Sequence, residues 1–326
     1  MKATAKAGSN IAFVKFWGEL DPTLHLPLNS SLSMTLDQAY SIVTVEFSPH
    51  YAQDEVDLEG VQAEGPRRER VVRFLDYLRA LARVSLPARV AARTTFPVAT
   101  GLASSASLFA ALTVAGLAAL GLSRDERTMS TIARLGSGSA ARSMFGGWVE
   151  WVAGGRHEDS YAQPLKPPDW WPITDILVIV SSEPKEVSSV AGHGMAASSP
   201  CQTVRLSRVP EHLALARTAI ETRDLGLLGR VAEEEGLLLH AVAMTGTPPV
   251  LHWLPATVGV IRRVLDWRRE GLPVYYTLDA GPNIHVLTPP EYTAQIAAGL
   301  CRVEGVDHTM VCQPGGPPIL GDVHNF

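Results

Sequence analysis

The stretch that most constrains the fold covers residues 96–122. A small-residue loop, TGLASSAS at residues 100–107, leads into an apolar, alanine-rich segment at residues 108–122 that predicts a buried helix. Small residues let a backbone approach a ligand closely, and a helix N-terminus offers unpaired N–H groups to an anion. The loop therefore fits a phosphate site, but it fits an ordinary N-terminal cap of a buried helix equally well.

The common catalytic signatures are absent from the sequence. The loop lacks both the Gly-Lys-Ser/Thr of a Walker A motif and the Gly-x-Gly-x-x-Gly of a dinucleotide fold. There is no Gly-x-Ser-x-Gly elbow, and His, Asp and Glu do not cluster at metal-ligand spacing. The loop by itself therefore does not identify its ligand.

Composition indicates an ordinary folded protein of about two domains. The 326 residues are 46% apolar and 19% charged, and the net charge of −5 argues against a nucleic-acid coat or a polybasic membrane surface. The N-terminus lacks an apolar signal core, and no uninterrupted apolar run reaches the ~18 residues of a membrane span, so we expect a cytoplasmic protein. The cysteines, Cys201, Cys301 and Cys312, have no C-x-x-C spacing, which predicts neither disulfides nor structural zinc.

Hydrophobic periodicity predicts strands mixed with helices. Strands are expected at 9–14, 31–36, 42–47, 88–95, 148–151, 176–180, 274–278 and 284–287. Helices are expected at 66–84, 108–122, 123–135, 210–222, 224–244, 255–270 and 291–302, with Ser123 and Glu126 as a capping box and the charges of 66–84 on a solvated face. A Pro/Trp cluster at 164–172 interrupts the periodicity and predicts two domains, 1–172 and 173–326.

One further loop and two single residues could take part in binding or catalysis. A second small-residue loop at 136–147 contains Arg142, whose guanidinium could grip a carboxylate or phosphate; the alternative is a flexible surface connection. Asp279, between an apolar strand and a Gly-Pro turn, could face a cleft, although bonding within its own turn is the simpler interpretation. His240 ends an apolar helical stretch and is expected to be a core histidine.

Five motifs taken in order resemble the mevalonate diphosphate decarboxylase family of the GHMP small-molecule kinases. They are NIAFVKFWG at 10–18, LPLNSSLS at 26–33, GLASSA at 101–106, GSGSAARS at 136–143 followed by GG at 146–147, and DAGPN at 279–283. The resemblance covers nearly the whole chain. It implies an α+β, two-domain GHMP-kinase fold with the active site in the inter-domain cleft, ATP-dependent decarboxylation of a phosphorylated mevalonate, and a homodimer.

The resemblance also implies residue roles. Asp279 would accept the proton of the tertiary 3-hydroxyl as ATP phosphorylates it, Lys15 would keep Asp279 ionised, and Arg142 would clamp the substrate carboxylate. ATP, with Mg²⁺ held mostly by its phosphates and by Ser105, would lie on Gly101, Leu102, Ala103, Ser104, Ser105 and Ser107. The substrate would contact Asn10, Phe16, Trp17, Glu19, Ser137, Gly138, Ser139, Arg142, Ser188 and Ser189.

The chain departs from the family pattern at the substrate positions. Diphosphate-using members read Lys-Tyr-Trp-Gly-Lys where this chain has Phe16 and Glu19, and Val190 stands where some bacterial members carry an arginine. Glu19 would repel a terminal phosphate, so we expect mevalonate 5-phosphate as the substrate and isopentenyl phosphate as the product.

Three other interpretations stay open. The first is mevalonate 5-diphosphate, with Glu19 turned to solvent and Arg205 or Arg208 recruited to the phosphate. The second is a 3-kinase without decarboxylation, and the third is a catalytically silent binding protein on the same scaffold.

Overall fold

The computed structural model describes residues 1–97, 104–183, 187 and 189–326, except for the side chains of Ser189 and Val190. In the first part of the chain the elements are β1 (Lys2–Val14), β2 (Glu19–Asp21), β3 (Leu26–Pro27), β4 (Ser31–Phe47), β5 (Glu55–Leu58), β6 (Val61–Gln62), α1 (Gly65–Ala82), β7 (Ala88–Thr94), α2 (Ser104–Ala119), α3 (Glu126–Gly136), β8 (Trp148–Val152) and β9 (Tyr161–Lys166). The rest contains β10 (Thr174–Ile179), α4 (Ser189–Met195), α5 (Cys201–Thr222), α6 (Leu225–Thr245), α7 (Pro255–Arg269), β11 (Tyr275–Thr277), β12 (Ile284–Thr288), α8 (Thr293–Leu300), β13 (His308–Cys312) and β14 (Ile319–Gly321). The predicted α+β class is confirmed.

The first sheet is built on the long antiparallel pair β1 and β4. Its strand order is β14-β1-β4-β7-β5-β6, and β8 and β9 extend from β4. Helix α2 packs across β1 and β4, and its alanine-rich surface is buried on nearly every side. Helix α1 lies close to α2, because a Cβ on Gly116 would stand 2.5 Å from Leu78 Cδ1. Gly116 therefore allows α1 and α2 to pack closely against each other.

The second sheet has the order β11-β12-β10-β13. Helices α7 and α8 cover one face with Val260, Val264, Trp267 and Ile296. The core on its other face is shared between the two halves of the chain. That core joins Phe13, Leu36 and Trp148 from the first sheet to Leu177, Val209, Leu213 and Leu228. Shared packing of this kind fixes how the two sheets face each other.

The C-terminal segment returns to the first sheet. Strand β14 pairs with β1, Thr4 Oγ1 lies 2.6 Å from His324 Nδ1, and Asn325 Nδ2 donates to the Ile42 and Ala91 carbonyls. The division into domains 1–172 and 173–326 stays a prediction, and the last eight residues of the predicted second domain lie on the sheet of the first.

Several predicted element boundaries are wrong. Helix α2 already contains Ser104, and α5 begins at Cys201 and continues through Pro210 instead of starting there. Pro210 removes one helical hydrogen bond, but the turns before it bury Gln202 and Arg205 against the first half of the chain. The N-cap of α3 is Asp125, whose carboxylate accepts from Thr128 N at 2.9 Å, and not Ser123.

Two predictions from composition can be compared with the structure. Cys201, Cys301 and Cys312 are all free thiols, as expected from their spacing. Within the described residues, every helix is too short or too polar to cross a membrane.

Candidate active site

Lys15 and Asp279, which are 264 residues apart in the chain, form an ion pair where the two sheets meet. Lys15 directly follows β1, and Asp279 follows β11 by two residues. Lys15 Nζ donates to Asp279 Oδ1 at 2.8 Å and to the Ala12 carbonyl at 2.5 Å. Only 1% of the Lys15 side chain and 18% of the Asp279 side chain are exposed to solvent. The structure therefore brings together two of the predicted catalytic residues in a largely dry environment.

The surroundings of Asp279 keep its carboxyl ionised. Burial alone would raise its pKa, but the nearby charge of Lys15, helped by His285 and Arg142, holds the pKa below its ordinary value. Burial lowers the pKa of Lys15, and the opposing charges of Asp279 and Glu235 limit that shift. At neutral pH the pair can thus present a carboxylate oxygen to a hydroxyl group and accept its proton.

Arg142 lies in a buried 3₁₀ helix, Gly138–Met144, within the second small-residue loop. Its Nε and Nη2 donate to Asn10 Oδ1 at 3.2 and 3.0 Å, and its Nη1 donates to Ser31 Oγ. Burial lowers its pKa to about 10, and among the described residues no carboxylate lies within ion-pair distance of it. A flexible surface connection is therefore the wrong interpretation of this loop, and Arg142 retains its charge for an anion.

Asn10, a predicted substrate contact, supports Arg142. Besides accepting from the guanidinium, its Nδ2 donates to Ser143 Oγ at 2.8 Å and to the Ser139 carbonyl at 3.2 Å. The side chain thus ties β1 to the 3₁₀ helix and fixes the direction of the guanidinium. Whether it also touches substrate stays a prediction.

The predicted ATP and substrate serines meet at the first turn of α2. Ser105 Oγ lies 3.0 Å from Ser137 Oγ, which is 3.4 Å from Ser139 Oγ. Ser107 differs, because it is buried and its hydroxyl bonds to Ser41 Oγ at 2.7 Å. Across residues 1–97, 104–183 and 189–326 there is no group of three or more His, Cys, Asp or Glu side chains suited to a metal ion.

Some predicted contacts lie outside the described residues. These are Gly101, Leu102, Ala103 and Ser188, together with the side chain of Ser189. Their roles stay predictions.

Phe16 and Trp17 form an aromatic cluster with His193 of α4. The Phe16 ring lies 4.2 Å from His193 and 4.7 Å from Trp151, measured between centroids, and Trp17 lies 4.8 Å from His193. His193 Nδ1 also accepts from the Gly18 amide at 3.0 Å. The sequence analysis missed His193, which carries no local signal and is placed here by tertiary packing alone.

Gly138, one of the glycines of the second loop, makes room for Phe16. A Cβ on Gly138 would stand 2.6 Å from Phe16 Cε1 and 3.0 Å from Trp151. Gly138 therefore determines how Phe16 sits against the loop that carries Ser137 and Ser139.

Glu19 does not turn to solvent. Only 7% of its side chain is exposed, and its Oε1 lies 2.7 Å from His25 Nδ1. The two arginines suggested for the diphosphate alternative are paired with other groups. Arg205 is fully buried, where it pairs with Glu235 and donates to backbone carbonyls. The exposed Arg208 pairs with Glu211 and Glu234.

A different arginine, Arg70 of α1, lies near Glu19. Its Nε donates to the Gly136 carbonyl at 2.8 Å, and its guanidinium stands 4.9 Å from the centre of the Phe109 ring. Burial lowers its pKa to about 10, and the charge of Glu19 opposes the shift. The prediction of a solvated charged face is wrong for this residue. The available signal was its position four residues before buried Phe74, on the same helix face.

His240 supports the backbone of Asp279. Its Nε2 lies 3.1 Å from the Asp279 carbonyl, and burial, helped by His252, lowers its pKa to about 3, so the ring is neutral. The expectation of a core histidine agrees with this placement.

Known proteins resemble this chain in both sequence and fold. A profile of the diphosphomevalonate decarboxylase-like N-terminal domain matches residues 7–162, and one of the mevalonate 5-diphosphate decarboxylase C-terminal domain matches residues 176–315. The diphosphomevalonate decarboxylase of Ganoderma lucidum is 38% identical, over 90% of this chain and 80% of the relative. That of Homo sapiens is 32% identical, over 91% and 79%.

Solved structures agree with the sequence relatives. A structure described as MDDEF in complex with MVAPP, AMPPCP and magnesium superposes with a TM-score of 0.93 at 33% identity, over 99% of both chains. The mevalonate diphosphate decarboxylase of Staphylococcus aureus gives a TM-score of 0.93 at 33% identity, over 98% of both chains. The chain therefore belongs to the diphosphomevalonate decarboxylase family and has its two-domain fold.

Proposed function

We propose that the protein catalyses the ATP-dependent decarboxylation of a 5-phosphorylated mevalonate. The observation that carries the proposal is the buried Lys15–Asp279 pair with Arg142 close by, in a chain of this family. A base and an anion-binding guanidinium are the two groups that phosphorylation of a 3-hydroxy acid and loss of its carboxylate require.

The proposed reaction has two stages, phosphoryl transfer and then elimination. Asp279 accepts the proton as the 3-hydroxyl oxygen attacks the γ-phosphorus of ATP, and the bond between that phosphorus and the β-phosphate bridge breaks. The C3–O bond of the phosphorylated intermediate then breaks and phosphate leaves. The electron pair of the bond between C2 and the carboxylate forms the new double bond, and carbon dioxide is released.

ATP and Mg²⁺ are supported by the magnesium and AMPPCP bound in the MDDEF structure. Here Ser105 and Ser137 present hydroxyls 3.0 Å apart at the first turn of α2, where helix N–H groups favour phosphate oxygens. In the absence of a carboxylate cluster among the described residues, we expect Mg²⁺ to be held by phosphate oxygens and the Ser105 hydroxyl.

We propose mevalonate 5-diphosphate as the substrate, because the curated relatives are named for it. The relatives do not support the expected preference for mevalonate 5-phosphate. The monophosphate is a second candidate because of one observation. Glu19, which pairs with His25, places a carboxylate at a position where a cation would favour binding of a second phosphate. Arg70, near both Glu19 and the Gly136 carbonyl, is a cation that could offset that charge.

A side-by-side assay tests the proposal. Carbon dioxide release with ATP and Mg²⁺ is measured for both mevalonates, and we expect kcat/KM to favour the diphosphate. A preference for the monophosphate would reject the diphosphate assignment, and no ATP-dependent release from either compound would reject the decarboxylase.

Two variants test which charged residues discriminate between the diphosphate and the monophosphate. Arg70→Met should lower kcat/KM for the diphosphate more than for the monophosphate, by about 10-fold or more if one charged hydrogen bond is lost. Phe16→Tyr with Glu19→Lys should raise the diphosphate-to-monophosphate ratio. An unchanged ratio in both variants would mean that these positions do not face the phosphates.

A further inference from the structure

A buried ion pair lies directly beneath the Lys15 backbone. Glu235 of α6 and Arg205 of α5 are both completely buried, with Arg205 Nη2 3.2 Å from Glu235 Oε2. Two charges taken out of water stabilise a fold poorly unless further hydrogen bonds satisfy them. The partners of this pair therefore indicate what it does.

Both charges bind the backbone of the Lys15 segment. Glu235 Oε2 accepts from the Lys15 amide at 2.9 Å, and Arg205 Nη2 donates to the Lys15 carbonyl. Arg205 Nη1 donates to the Trp17 carbonyl at 3.3 Å, which also accepts from Gln202 Nε2 at 3.0 Å. The second half of the chain thus holds the residues of the first half that carry the catalytic lysine.

The same helix also holds the partner of Lys15. His240, five residues after Glu235 on α6, bonds to the Asp279 carbonyl at 3.1 Å, and Thr277 Oγ1 donates to the Ala232 carbonyl at 2.9 Å. Helix α6 therefore contacts the backbones of both members of the catalytic ion pair, at positions separated by about 7.5 Å of helix rise.

We propose that Glu235 and Arg205 are positioning residues, which hold the Lys15 backbone against α6 so that the Lys15 ammonium meets Asp279. This inference rests on the proposed function, because its kinetic readout is the decarboxylation rate. A displacement of the ammonium would weaken its contact with the base, and a misplacement of about 1 Å can reduce a rate by roughly 100-fold.

The charge of Glu235 gives the proposal a readout beyond stability. The groups that act on Lys15 are Asp279 and Glu235, which raise its pKa, and burial and Arg142, which lower it; neutral His240 adds no charge at working pH. Glu235 also faces buried His212, whose Nδ1 lies 2.7 Å from Glu235 Oε1 and whose pKa the carboxylate raises against burial, so the variant also changes the titration of His212. Removing the Glu235 charge lowers the Lys15 pKa further. Activity that needs a protonated lysine would then be lost at a lower pH than in the wild type.

Glu235→Gln is the informative variant, because it keeps the size and the acceptor oxygen while removing the charge. Glu233→Gln is its matched control. Glu233 lies on the same helix and is 12% exposed where Glu235 is completely buried, but its carboxylate pairs with Arg268 and accepts from the Tyr276 amide, away from Lys15.

The experiment compares kcat, KM and the pH dependence of kcat in the wild type and both variants. For Glu235→Gln we expect kcat to fall by about 10- to 100-fold with a smaller change in KM for ATP. The alkaline limb of the pH dependence of kcat should move to lower pH. Glu233→Gln should keep kcat within a few-fold and leave the alkaline limb where it is. Equal effects of the two variants on kcat and on the limb would overturn the proposal.

A second variant tests the proposal if Glu235→Gln does not fold, and a second measurement tests it if the wild type is not a decarboxylase. If Glu235→Gln does not fold, Arg205→Lys keeps the positive charge but cannot reach both carbonyls, and wild-type kcat in that variant would overturn the proposal. If the wild type releases no carbon dioxide, the proposed function fails, but an NMR titration of the Lys15 ammonium without substrate still tests the positioning. An unchanged Lys15 pKa in folded Glu235→Gln would overturn it.

Discussion

Asp279→Asn tests the ion pair at the centre of the site, since it removes one charge and almost no volume. It leaves the Lys15 ammonium buried with the Ala12 carbonyl and with Arg142 nearby. Breaking a buried pair by removing one partner costs about 3–5 kcal/mol. Asp279 is 18% exposed, so water can reach the substituted side chain, and we expect a loss of free energy of unfolding near the lower end, about 3 kcal/mol.

The protonation of Lys15 sets an upper limit on this cost. The variant can shed the proton, and from the ordinary lysine pKa of 10.5 to pH 7 this costs about 1.4 kcal/mol for each of roughly 3.5 pH units, or about 5 kcal/mol. The folded variant has a Lys15 pKa below that of the unfolded chain, so the unfolded chain binds more protons between the two values. Stability must then rise with pH in that window. The deficit relative to wild type should shrink as the pH approaches 10.

Urea unfolding at pH 7 and pH 9.5 measures the effect in the wild type, Asp279→Asn, Lys15→Met and the double variant. Removing both charges should give a more stable protein than Asp279→Asn alone. Turnover of Asp279→Asn should fall by about 100- to 10,000-fold while ATP binding by calorimetry is retained. A variant as stable as wild type at pH 7, or a deficit that grows with pH, would refute the reasoning.

Two further predictions concern packing and the junction between the halves. Gly138→Ala should raise the KM for the phosphorylated mevalonate and destabilise the protein by about 1–3 kcal/mol, because the new Cβ would press on Phe16. Gly155→Ala, with nothing within 4 Å of its new Cβ, is the control in the same assay and in urea unfolding. Arg217→Ala should lower stability by about 1–3 kcal/mol, since it leaves the buried carboxylate of Glu150 unpaired; an unchanged urea midpoint would contradict this.

The sequence predicts the residues of the site better than it predicts the residues that hold them in place. Lys15, Arg142 and Asp279 lie in motifs whose resemblance implies their roles, and the structure brings Lys15 and Asp279 within hydrogen-bond distance. The grip of Asn10 on Arg142 depends on how β1 packs against the 3₁₀ helix 132 residues later. Local pattern holds no information about such a contact, so it could be found only in the folded chain.

Buried charges are where sequence reasoning failed. Arg205 and Glu235 are fully buried and Arg70 is half-buried, because other elements of the fold pack against each of them. Helix α5 shows another reason why the sequence prediction failed: tertiary contacts can outweigh local propensity. Pro210 favours a helix start, whereas tertiary contacts of Gln202 and Arg205 extend the helix nine residues earlier. Propensity is a weak guide wherever packing opposes it.

The hydrogen bonds of Arg142 constrain how it can hold a substrate carboxylate. A guanidinium has five N–H donors, and here Nε, one N–H of Nη1 and one of Nη2 are bonded to Asn10 and Ser31. Among the contacts of the described residues, each Nη keeps one N–H that could donate to a substrate carboxylate. A guanidinium already bonded to two side chains turns little, so we expect Arg142 to limit the directions from which a substrate carboxylate can bind. Because carbon dioxide leaves as a neutral molecule, we expect Arg142 to orient the substrate carboxylate before this step and to lose that anionic partner after it.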